Sequence, residues 1–369
     1  MNHFRYIKYL YYLLVITSLV SCKQNDKTIT IKGNIKGLNA NWIYLYGPFR
    51  IGGKPIDSAR VVDNKFEFNL HPDTTFQPHW GYIAYHTKPA YAGILGVINP
   101  ITSTSKKLDL NAGLYIEPGV VNLTGDLTKS KGITLTGGKQ NDFYFRNHDL
   151  PYIYLSKDPA KRRSQISKLT KIVKDNPDAY YAMFALGNLK YYLNNDELRS
   201  IYNEFDDDVK TAYNGRKINE FLKNRPNDGA AKPNSVLVDT NKNRFALIDT
   251  TKKLNMIIFW ASWCGPCRAE IPSFKKIATE FKDPNFRIVS VSVNKDKSQW
   301  KQAVIEENMP WQQLVIENVD MERITDQYNL GFIPQIYFIN NNRKVITHLE
   351  GYSSTNEATI EKIITTALK

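Results

Sequence analysis

The alternation of hydrophobic and polar positions indicates a β-rich region near the start of the chain. From residue 28 to 138, apolar residues alternate with polar ones in short runs separated by Gly, Pro and Asn, for example at 28–32 and 115–122. Alternation with a period of two predicts half-buried strands. Asp63 and Asn64, which stand between two such runs, predict a hairpin turn. The region 28–138 is therefore predicted to be an all-β, sandwich-like domain.

Residues 139–225 show a different period, with apolar residues at every third or fourth position. That spacing predicts helices. Asp158-Pro159 and Asn176-Pro177 each resemble an N-cap residue followed by proline at the first helical position, so they predict two helix starts. Residues 226–234 contain two prolines and a glycine, which predicts a linker.

Residues 235–369 alternate between strand and helix patterns. The run 254–260 is apolar apart from Asn255, as expected of a buried central strand, and a helical pattern follows from residue 264 to 281. The last strand patterns flank residues 340–342, three asparagines that predict a hairpin. This order predicts an α/β domain whose mixed sheet, flanked by helices, has a parallel core beside an antiparallel edge.

Composition narrows the possible functions only a little. The 369 residues are 42% hydrophobic and 23% charged, typical of a folded globular protein, and the net charge is +13. The basic residues are spread along the chain in short groups, without a long basic helix or an aromatic–basic repeat. This distribution predicts a solvated basic surface and no nucleic-acid partner.

The first 21 residues predict a lipoprotein signal peptide. Arg5 and Lys8 precede an apolar run at 9–20, which at about 12 residues is too short to span a bilayer. The run ends in Leu-Val-Ser-Cys, which resembles the bacterial lipobox, so Cys22 is predicted to carry lipid, with 22–27 as a tether. The alternative is an uncleaved anchor helix with an incidental cysteine. The first interpretation predicts a lipid-anchored, periplasm-facing protein of a bacterial cell envelope.

The chain has three cysteines, and if Cys22 carries lipid, only Cys264 and Cys267 remain as thiols. A Cys-x-x-Cys pair at a helix start places the first sulfur where unpaired N–H groups and the helix dipole favour a thiolate. Cys264 is therefore the candidate nucleophile, and Cys267 is the candidate resolving thiol that attacks a mixed disulfide.

Two alternatives for the cysteine pair are half of a zinc site and a disulfide kept only for stability. Zinc needs about four ligands, and His348 is the one histidine after the pair, so no metal is predicted. A loop this short gains little stability from closure. No cofactor is expected beyond the redox-active Cys264–Cys267 disulfide.

Residues 259–267, Phe-Trp-Ala-Ser-Trp-Cys-Gly-Pro-Cys, resemble the active site of the thioredoxin superfamily. The following Arg-Ala-Glu-Ile-Pro at 268–272 is similar to the membrane-associated TlpA/ResA-like branch. The β-rich region resembles an N-terminal domain of unassigned function that is common in lipoprotein thioredoxin relatives. The resemblance implies a thioredoxin-like fold for residues 235–369, with dithiol–disulfide exchange as its activity.

The resemblance also implies a substrate-binding loop. Ile333 and Pro334 precede a strand, as does the family's cis-proline loop, which implies a cis Ile333–Pro334 bond facing the cysteines and an Ile333 backbone that pairs with the substrate chain. Gly265 and Pro266, between the cysteines, are expected to contact the substrate. Trp263 is either part of an apolar docking patch or a plain structural element.

Glu270 is the residue that the branch places three positions after the second cysteine. Cytosolic thioredoxins instead carry a buried aspartate at the position of Ile258. On a helix, residues 267 and 270 lie on neighbouring faces, so Glu270 is a candidate proton relay to the Cys267 thiol. The alternative is a solvated surface glutamate.

The sequence as a whole predicts a lipid-anchored thiol-disulfide oxidoreductase that reduces disulfides of exported proteins. Its expected partners are protein disulfide clients and a membrane-bound upstream reductant. The Gly265-Pro266 dipeptide matches reducing thioredoxins and favours the reductase direction. Cytochrome c maturation is a role of the family branch, but no residue here selects it over general disulfide reduction.

Two other functions stay open at this stage. The first is a thiol peroxidase, although the proline and threonine of the peroxidatic motif would fall at Ile257 and Ala261. The second is an envelope-binding protein with an auxiliary redox domain, to which the aromatic residues at 76–91 point weakly.

Overall fold

The computed structural model describes residues 27–48, 53–85, 93–104 and 106–369. The predicted signal peptide and Cys22 lie outside these residues. The chain divides into two compact units, the first reaching Leu150 and including Ala179–Tyr181, and the second formed by Pro151–Asp178 and Ala182–Lys369. Among the described helices, none is both long enough and apolar enough to cross a bilayer.

The first unit is built on two β-sheets. Its strands are β1 (Ile29–Lys36), β2 (Trp42–Tyr46), β3 (Asp57–Arg60), β4 (Lys65–Leu70), β5 (His79–Tyr85), β6 (Gly93–Ile94), β7 (Gly96–Ile98), β8 (Leu110–Asn111), β9 (Leu114–Ile116), β10 (Gly119–Asp126) and β11 (Gly132–Thr136). One sheet has the order β4-β1-β10-β11-β7-β8, and the other has β3-β2-β5-β6 with β9 beside β5. The predicted β-rich, sandwich-like fold is confirmed.

Alternation explains why these residues form half-buried strands. In β1, Ile29, Ile31, Gly33 and Ile35 are buried, and the residues that alternate with them are exposed or half-buried. The predicted turn at Asp63 and Asn64 is confirmed: both residues have positive φ, at 51° and 64°, as a two-residue hairpin turn requires.

The single strand predicted at 115–122 is wrong. The structure has two strands there: β9 pairs with β5 in one sheet, and β10 pairs with β1 in the other. Glu117 and Pro118 lie between them, and Gly119, the first residue of β10, has a φ of 105°. Because proline lacks an N–H and Gly119 adopts a conformation that other residues avoid, the chain changes sheet at this point.

Helices occupy the middle of the chain, as predicted. They are α1 (Lys139–Asn147), α2 (Pro159–Lys174), α3 (Tyr180–Leu189), α4 (Asn195–Asn203), α5 (Asp207–Thr211) and α6 (Tyr213–Asn224), with 3₁₀ turns at Leu150–Tyr152 and Lys190–Tyr192. The predicted start at Asp158 is confirmed, since its side chain accepts a hydrogen bond from the Lys161 backbone N–H.

The helix start predicted at Asn176-Pro177 is wrong, because α3 begins at Tyr180. The Asn176 side chain donates to the Ile172 carbonyl at 2.9 Å, and its backbone N–H donates to the Val173 carbonyl at 2.9 Å. Asn176 therefore satisfies carbonyl groups at the end of α2 instead of N–H groups at the start of the next helix.

The rest of the second unit is a seven-stranded mixed sheet flanked by helices. Its elements are β12 (Val236–Val238), β13 (Arg244–Ala246), β14 (Leu254–Trp260), α7 (Gly265–Glu280), β15 (Phe286–Ser292), α8 (Lys297–Glu307), β16 (Gln312–Val315), α9 (Met321–Gln327), β17 (Gln335–Asn340), β18 (Val345–Glu350) and α10 (Asn356–Leu368). The sheet order is β13-β12-β16-β15-β14-β17-β18. Only the β14–β15 and β15–β16 pairs are parallel, which confirms the predicted parallel core and antiparallel edge.

Strand β14 is buried along its whole length because helices cover both of its faces. Met256 and Ile258 pack against apolar residues of α7 and α10 on one face. Ile257 and Phe259 pack on the other face, in a core that includes Ile324 of α9. The carboxyl end of β14 leads directly into the cysteine pair.

Candidate active site

The loop that joins β14 to α7 is held in place by Asn294. The Asn294 side chain accepts a hydrogen bond from the Ser262 backbone N–H at 2.9 Å and donates one to the Ser262 hydroxyl at 2.7 Å. The Cys264 N–H donates to the Ala261 carbonyl at 3.1 Å. These bonds fix the backbone immediately before Cys264.

Cys264 and Cys267 are joined by a disulfide bond, with 2.01 Å between the sulfurs. Cys264 is the N-cap residue of α7, and the Cys267 backbone N–H donates to its Sγ at 3.2 Å. Gly265 and Pro266 form the first turn, where the missing proline N–H costs no helical hydrogen bond. In the reduced state, this N–H and the helix dipole would favour a thiolate at Cys264.

The pair lies in an apolar environment. Cys264 is 3% exposed and Cys267 is 2% exposed, and both pack in a cluster that includes Trp260, Ile271 and Trp300. Trp263, by contrast, is 67% exposed, so the tryptophan directly before Cys264 in the sequence is on the surface.

The loop before β17 faces the cysteines. Its Ile333–Pro334 peptide bond is cis, which confirms that prediction. The Ile333 carbonyl oxygen lies 3.9 Å from the Cys264 Sγ. Phe332, directly before Ile333 in the sequence, is 38% exposed. Trp263, directly before Cys264, is exposed as well. The residues that precede the two partners of this contact in the sequence are thus both exposed aromatics.

Glu270 is buried one helical turn after Cys267. It is 2% exposed, which excludes the alternative of a solvated surface glutamate. Its Oε1 accepts a hydrogen bond from the Asn356 side chain, and its Oε2 has no hydrogen-bond partner among the described residues. Burial raises the pKa of the Glu270 carboxyl, and the Asn356 hydrogen bond opposes that rise.

Asn356 connects Glu270 to the loop before β17. Its side-chain N–H₂ also donates to the Gly351 carbonyl at 3.1 Å, and the Gly351 N–H donates to the Pro334 carbonyl at 2.9 Å. Neither Asn356 nor Asn294 was predicted from the sequence. Asparagine is common at loops and helix ends, so neither residue gives a sequence signal that separates it from an ordinary cap.

The described residues contain no group of three or more His, Cys, Asp or Glu side chains that could hold a metal ion.

Comparisons with known proteins match two parts of the chain. The Redoxin family model matches residues 227–364, and a domain of unknown function, DUF4369, matches residues 29–144. The thiol-disulfide oxidoreductase ResA of Bacillus subtilis is 30% identical over 124 residues, which are 34% of this chain and 68% of that protein. ResA of Oceanobacillus iheyensis is 28% identical over 123 residues, 31% of this chain and 62% of that protein.

Among solved structures, the thioredoxin domain of a thiol-disulfide oxidoreductase from Bacteroides vulgatus is 26% identical, with a TM-score of 0.35. The alignment covers 38% of this chain and 99% of that one. A putative thiol:disulfide interchange protein DsbE from Chlorobium tepidum is 23% identical, also with a TM-score of 0.35, over 39% of this chain and 99% of that one.

A parallel-core sheet that carries Cys-Gly-Pro-Cys at a helix start, opposite a cis-proline loop, defines a thioredoxin-like domain. The identity to ResA places the domain more narrowly. The chain belongs to the TlpA/ResA-like thiol-disulfide oxidoreductases of the thioredoxin superfamily.

Proposed function

We propose that the protein reduces disulfide bonds in exported proteins, with Cys264 as the nucleophile and Cys267 as the resolving thiol. The observation that carries the proposal is the hydrogen bond from the Cys267 N–H to the Cys264 Sγ at the start of α7. A donor and a helix dipole directed at one of two neighbouring sulfurs favour that sulfur as the thiolate, and the thiolate is the nucleophile in disulfide exchange.

The reaction has two exchange steps. The Cys264 thiolate attacks one sulfur of the client disulfide, which forms a mixed disulfide and releases the other client sulfur as a thiolate that takes up a proton. The Cys267 thiolate then attacks the Cys264 sulfur. This closes the Cys264–Cys267 disulfide and releases the second client thiolate. Two electrons pass from the protein to the client, so an upstream dithiol must return two electrons.

Client binding is assigned to the surface around Cys264. The Ile333 backbone is proposed to pair with the client chain beside Pro334, because the Ile333 carbonyl lies 3.9 Å from the attacking sulfur. Trp263 supplies exposed apolar area next to the pair. Gly265 and Pro266 lack bulky polar side chains, which leaves room for the client near the sulfurs.

Glu270 is proposed to accept the proton of the Cys267 thiol before the second step. Its raised pKa supports this role, because a base acts best when its pKa lies close to the working pH. The carboxyl lies in the same helix, three residues after Cys267, and its Oε2 has no hydrogen-bond partner among the described residues.

The location follows from the sequence of residues 1–22. A leader of signal-peptide length that ends in a lipobox-like Leu-Val-Ser-Cys supports a lipid on Cys22 and a site of action in a bacterial cell envelope. Cytoplasmic reductants do not reach that compartment directly, so we propose a membrane-bound upstream reductant.

A trapping experiment tests the proposal. The full chain with Cys267→Ser, once reduced and mixed with insulin as a disulfide substrate, should accumulate a mixed disulfide between Cys264 and insulin, because the resolving thiol is absent. The product is read as a band on a non-reducing gel that disappears on reduction. The matched control, Cys264→Ser with Cys267 intact, should give little adduct. Equal trapping by both variants would refute the assigned roles.

A further inference from the structure

The middle helical segment (Tyr180–Asn224, α3 to α6) contacts the loop before β17 through Tyr191. Tyr191 lies in the 3₁₀ turn Lys190–Tyr192. Its backbone carbonyl accepts a hydrogen bond from the Asn329 side chain at 2.8 Å. A Cβ atom added at Gly331 would lie only 2.7 Å from the Tyr191 Cγ, so the tyrosine side chain covers the Gly331 backbone at a distance that only glycine permits.

Tyr191 is itself firmly placed by its neighbours. Its ring packs edge-to-face on Phe221 of α6, with 5.5 Å between the centroids. The Lys190 ammonium lies over both rings, at 4.9 Å from the Tyr191 centroid and 4.6 Å from the Phe221 centroid. The Arg225 guanidinium donates to the Leu193 carbonyl at 2.6 Å, just after the turn. A side chain packed in this way can fix the position of what it touches.

The same helical segment also holds α9, the helix that leads into the loop. The Asn224 side chain donates to the Asp326 carboxyl at 3.0 Å, and the Lys217 ammonium pairs with Glu322 at 2.8 Å. Asp326 is 2% exposed and Asn224 is half-buried, so the bond between them is partly shielded from water. The segment therefore contacts α9 as well as the loop that follows it.

We infer that Tyr191 is a positioning residue for client binding, acting through Gly331 and Asn329 on the loop that carries Ile333. The inference rests on the proposed function, in which the Ile333 backbone pairs with the client. Tyr191 touches the loop at Gly331, two residues before Ile333. Loss of the ring removes the packing against Gly331 but keeps the Asn329 bond to the Tyr191 backbone carbonyl, so the loop is held less tightly. The bonds that position Cys264 come from Ala261, Ser262 and Cys267 and do not involve Tyr191.

A comparison of two substrates tests the inference in the full chain, with dithiothreitol as the electron source. Tyr191→Ala should raise KM for insulin about 10-fold with little change in kcat, because client binding is weakened but the chemistry is intact. The rate at which the pre-reduced chain, freed of dithiothreitol, reacts with 5,5′-dithiobis(2-nitrobenzoate) should not change, because this disulfide is too small to need the loop. Tyr191→Phe, which keeps the ring, should behave as wild type. So should the matched control Tyr192→Ala, since Tyr192 is 57% exposed.

A second variant changes the other partner of the Tyr191–Gly331 contact. It tests the inference even if Tyr191→Ala does not fold. Gly331→Ala places a methyl group against the Tyr191 ring, so the loop must shift and KM for insulin should rise. Combined with Tyr191→Ala, which removes the ring atoms at 2.7 and 2.9 Å and leaves only the Tyr191 Cβ at 3.0 Å, Gly331→Ala should raise KM by much less than it does in the wild-type background. Fully additive effects would overturn the inference.

The outcomes separate this inference from the proposed function. If wild type reduces insulin and the Tyr191 and Gly331 variants do so with unchanged KM, the inference is wrong and the proposed function stands. If the variants lose activity on both substrates equally, Tyr191 has only a structural role and the inference is again wrong. If wild type does not reduce insulin at all but reacts with the small disulfide, the proposed function itself fails.

Discussion

Glu270, which is proposed to serve the second exchange step, is a buried carboxyl. Its burial raises its pKa above the ordinary range, while Asn356 donates a hydrogen bond to one of its oxygens. In the unfolded chain the carboxyl regains its ordinary pKa. The folded chain thus binds this proton more tightly, and the free energy of unfolding falls as the pH rises from the ordinary pKa through the raised one. Burying Glu270 therefore costs stability at neutral pH, as is common for residues kept for function.

Replacement of Glu270 by glutamine should slow the attack of Cys267 on a mixed disulfide at Cys264 by about 100-fold near neutral pH. The physical reason is the loss of the base that accepts the Cys267 proton. The step is measured by rapid mixing as the release of thionitrobenzoate from a Cys264 adduct. Its pH profile should show a group that titrates above the ordinary carboxyl range, and this group should be missing in Glu270→Gln.

The matched control for that measurement is Glu280→Gln, at the end of the same helix, where the side chain is 46% exposed. It should leave both the rate and the pH profile unchanged. An unchanged profile in Glu270→Gln would remove Glu270 from the mechanism.

Single site residues could be predicted from the sequence where they belong to a local motif. The positions of Cys264 and Cys267 at a helix start and the cis bond before Pro334 could be predicted in this way. Asn356 and Tyr191 could not, because Asn356 contacts Glu270 across 86 residues of sequence and Tyr191 contacts Asn329 across 138. Nothing in a single sequence pairs residues so far apart.

Among the elements, the hydrophobic pattern predicted strand bounds best where a strand is buried on both faces along its whole length. The run predicted at 254–260 is β14 to the residue, since both faces of that strand are buried. The errors fell at chain reversals. Asn176 ends a helix instead of starting one, and the 115–122 run divides at Pro118 between two sheets. Caps and prolines mark a boundary but do not say which element they belong to.

The helical segment makes a contact that its sequence did not reveal. Its apolar stripes, the residues at every third or fourth position, predicted helices, and Leu198 and Ile201 of one stripe are buried. The stripes do not show that the 3₁₀ turn between α3 and α4 reaches Asn329 and Gly331. That contact depends on a turn whose length and direction are set by tertiary packing, which periodicity does not report.

For the whole molecule, the two family matches leave the middle helices uncovered. DUF4369 matches residues 29–144 and Redoxin matches 227–364, so Tyr191 and its neighbours lie between the two. A positioning role for Tyr191 would therefore distinguish this chain from relatives that align only with the redox domain.

Attachment of lipid to Cys22 is a prediction that concerns the whole protein. Expressed in a bacterium with an alkyne-labelled fatty acid, the full chain should incorporate the label, and Cys22→Ala should not, because Cys22 is the proposed acceptor. Cys264→Ala, which removes a different cysteine, is the matched control and should label as wild type. Label on the Cys22→Ala chain would contradict the lipid assignment.

The reduction potential of the Cys264–Cys267 pair tests the central claim, that the protein is a disulfide reductant, most directly. The full chain is equilibrated in defined thiol buffers, and the fraction of disulfide is measured. The Gly265-Pro266 dipeptide, shared with reducing thioredoxins, predicts a value near −270 mV, about that of thioredoxin. A value near −120 mV, about that of a strong oxidant such as DsbA, would contradict the proposed direction of electron flow.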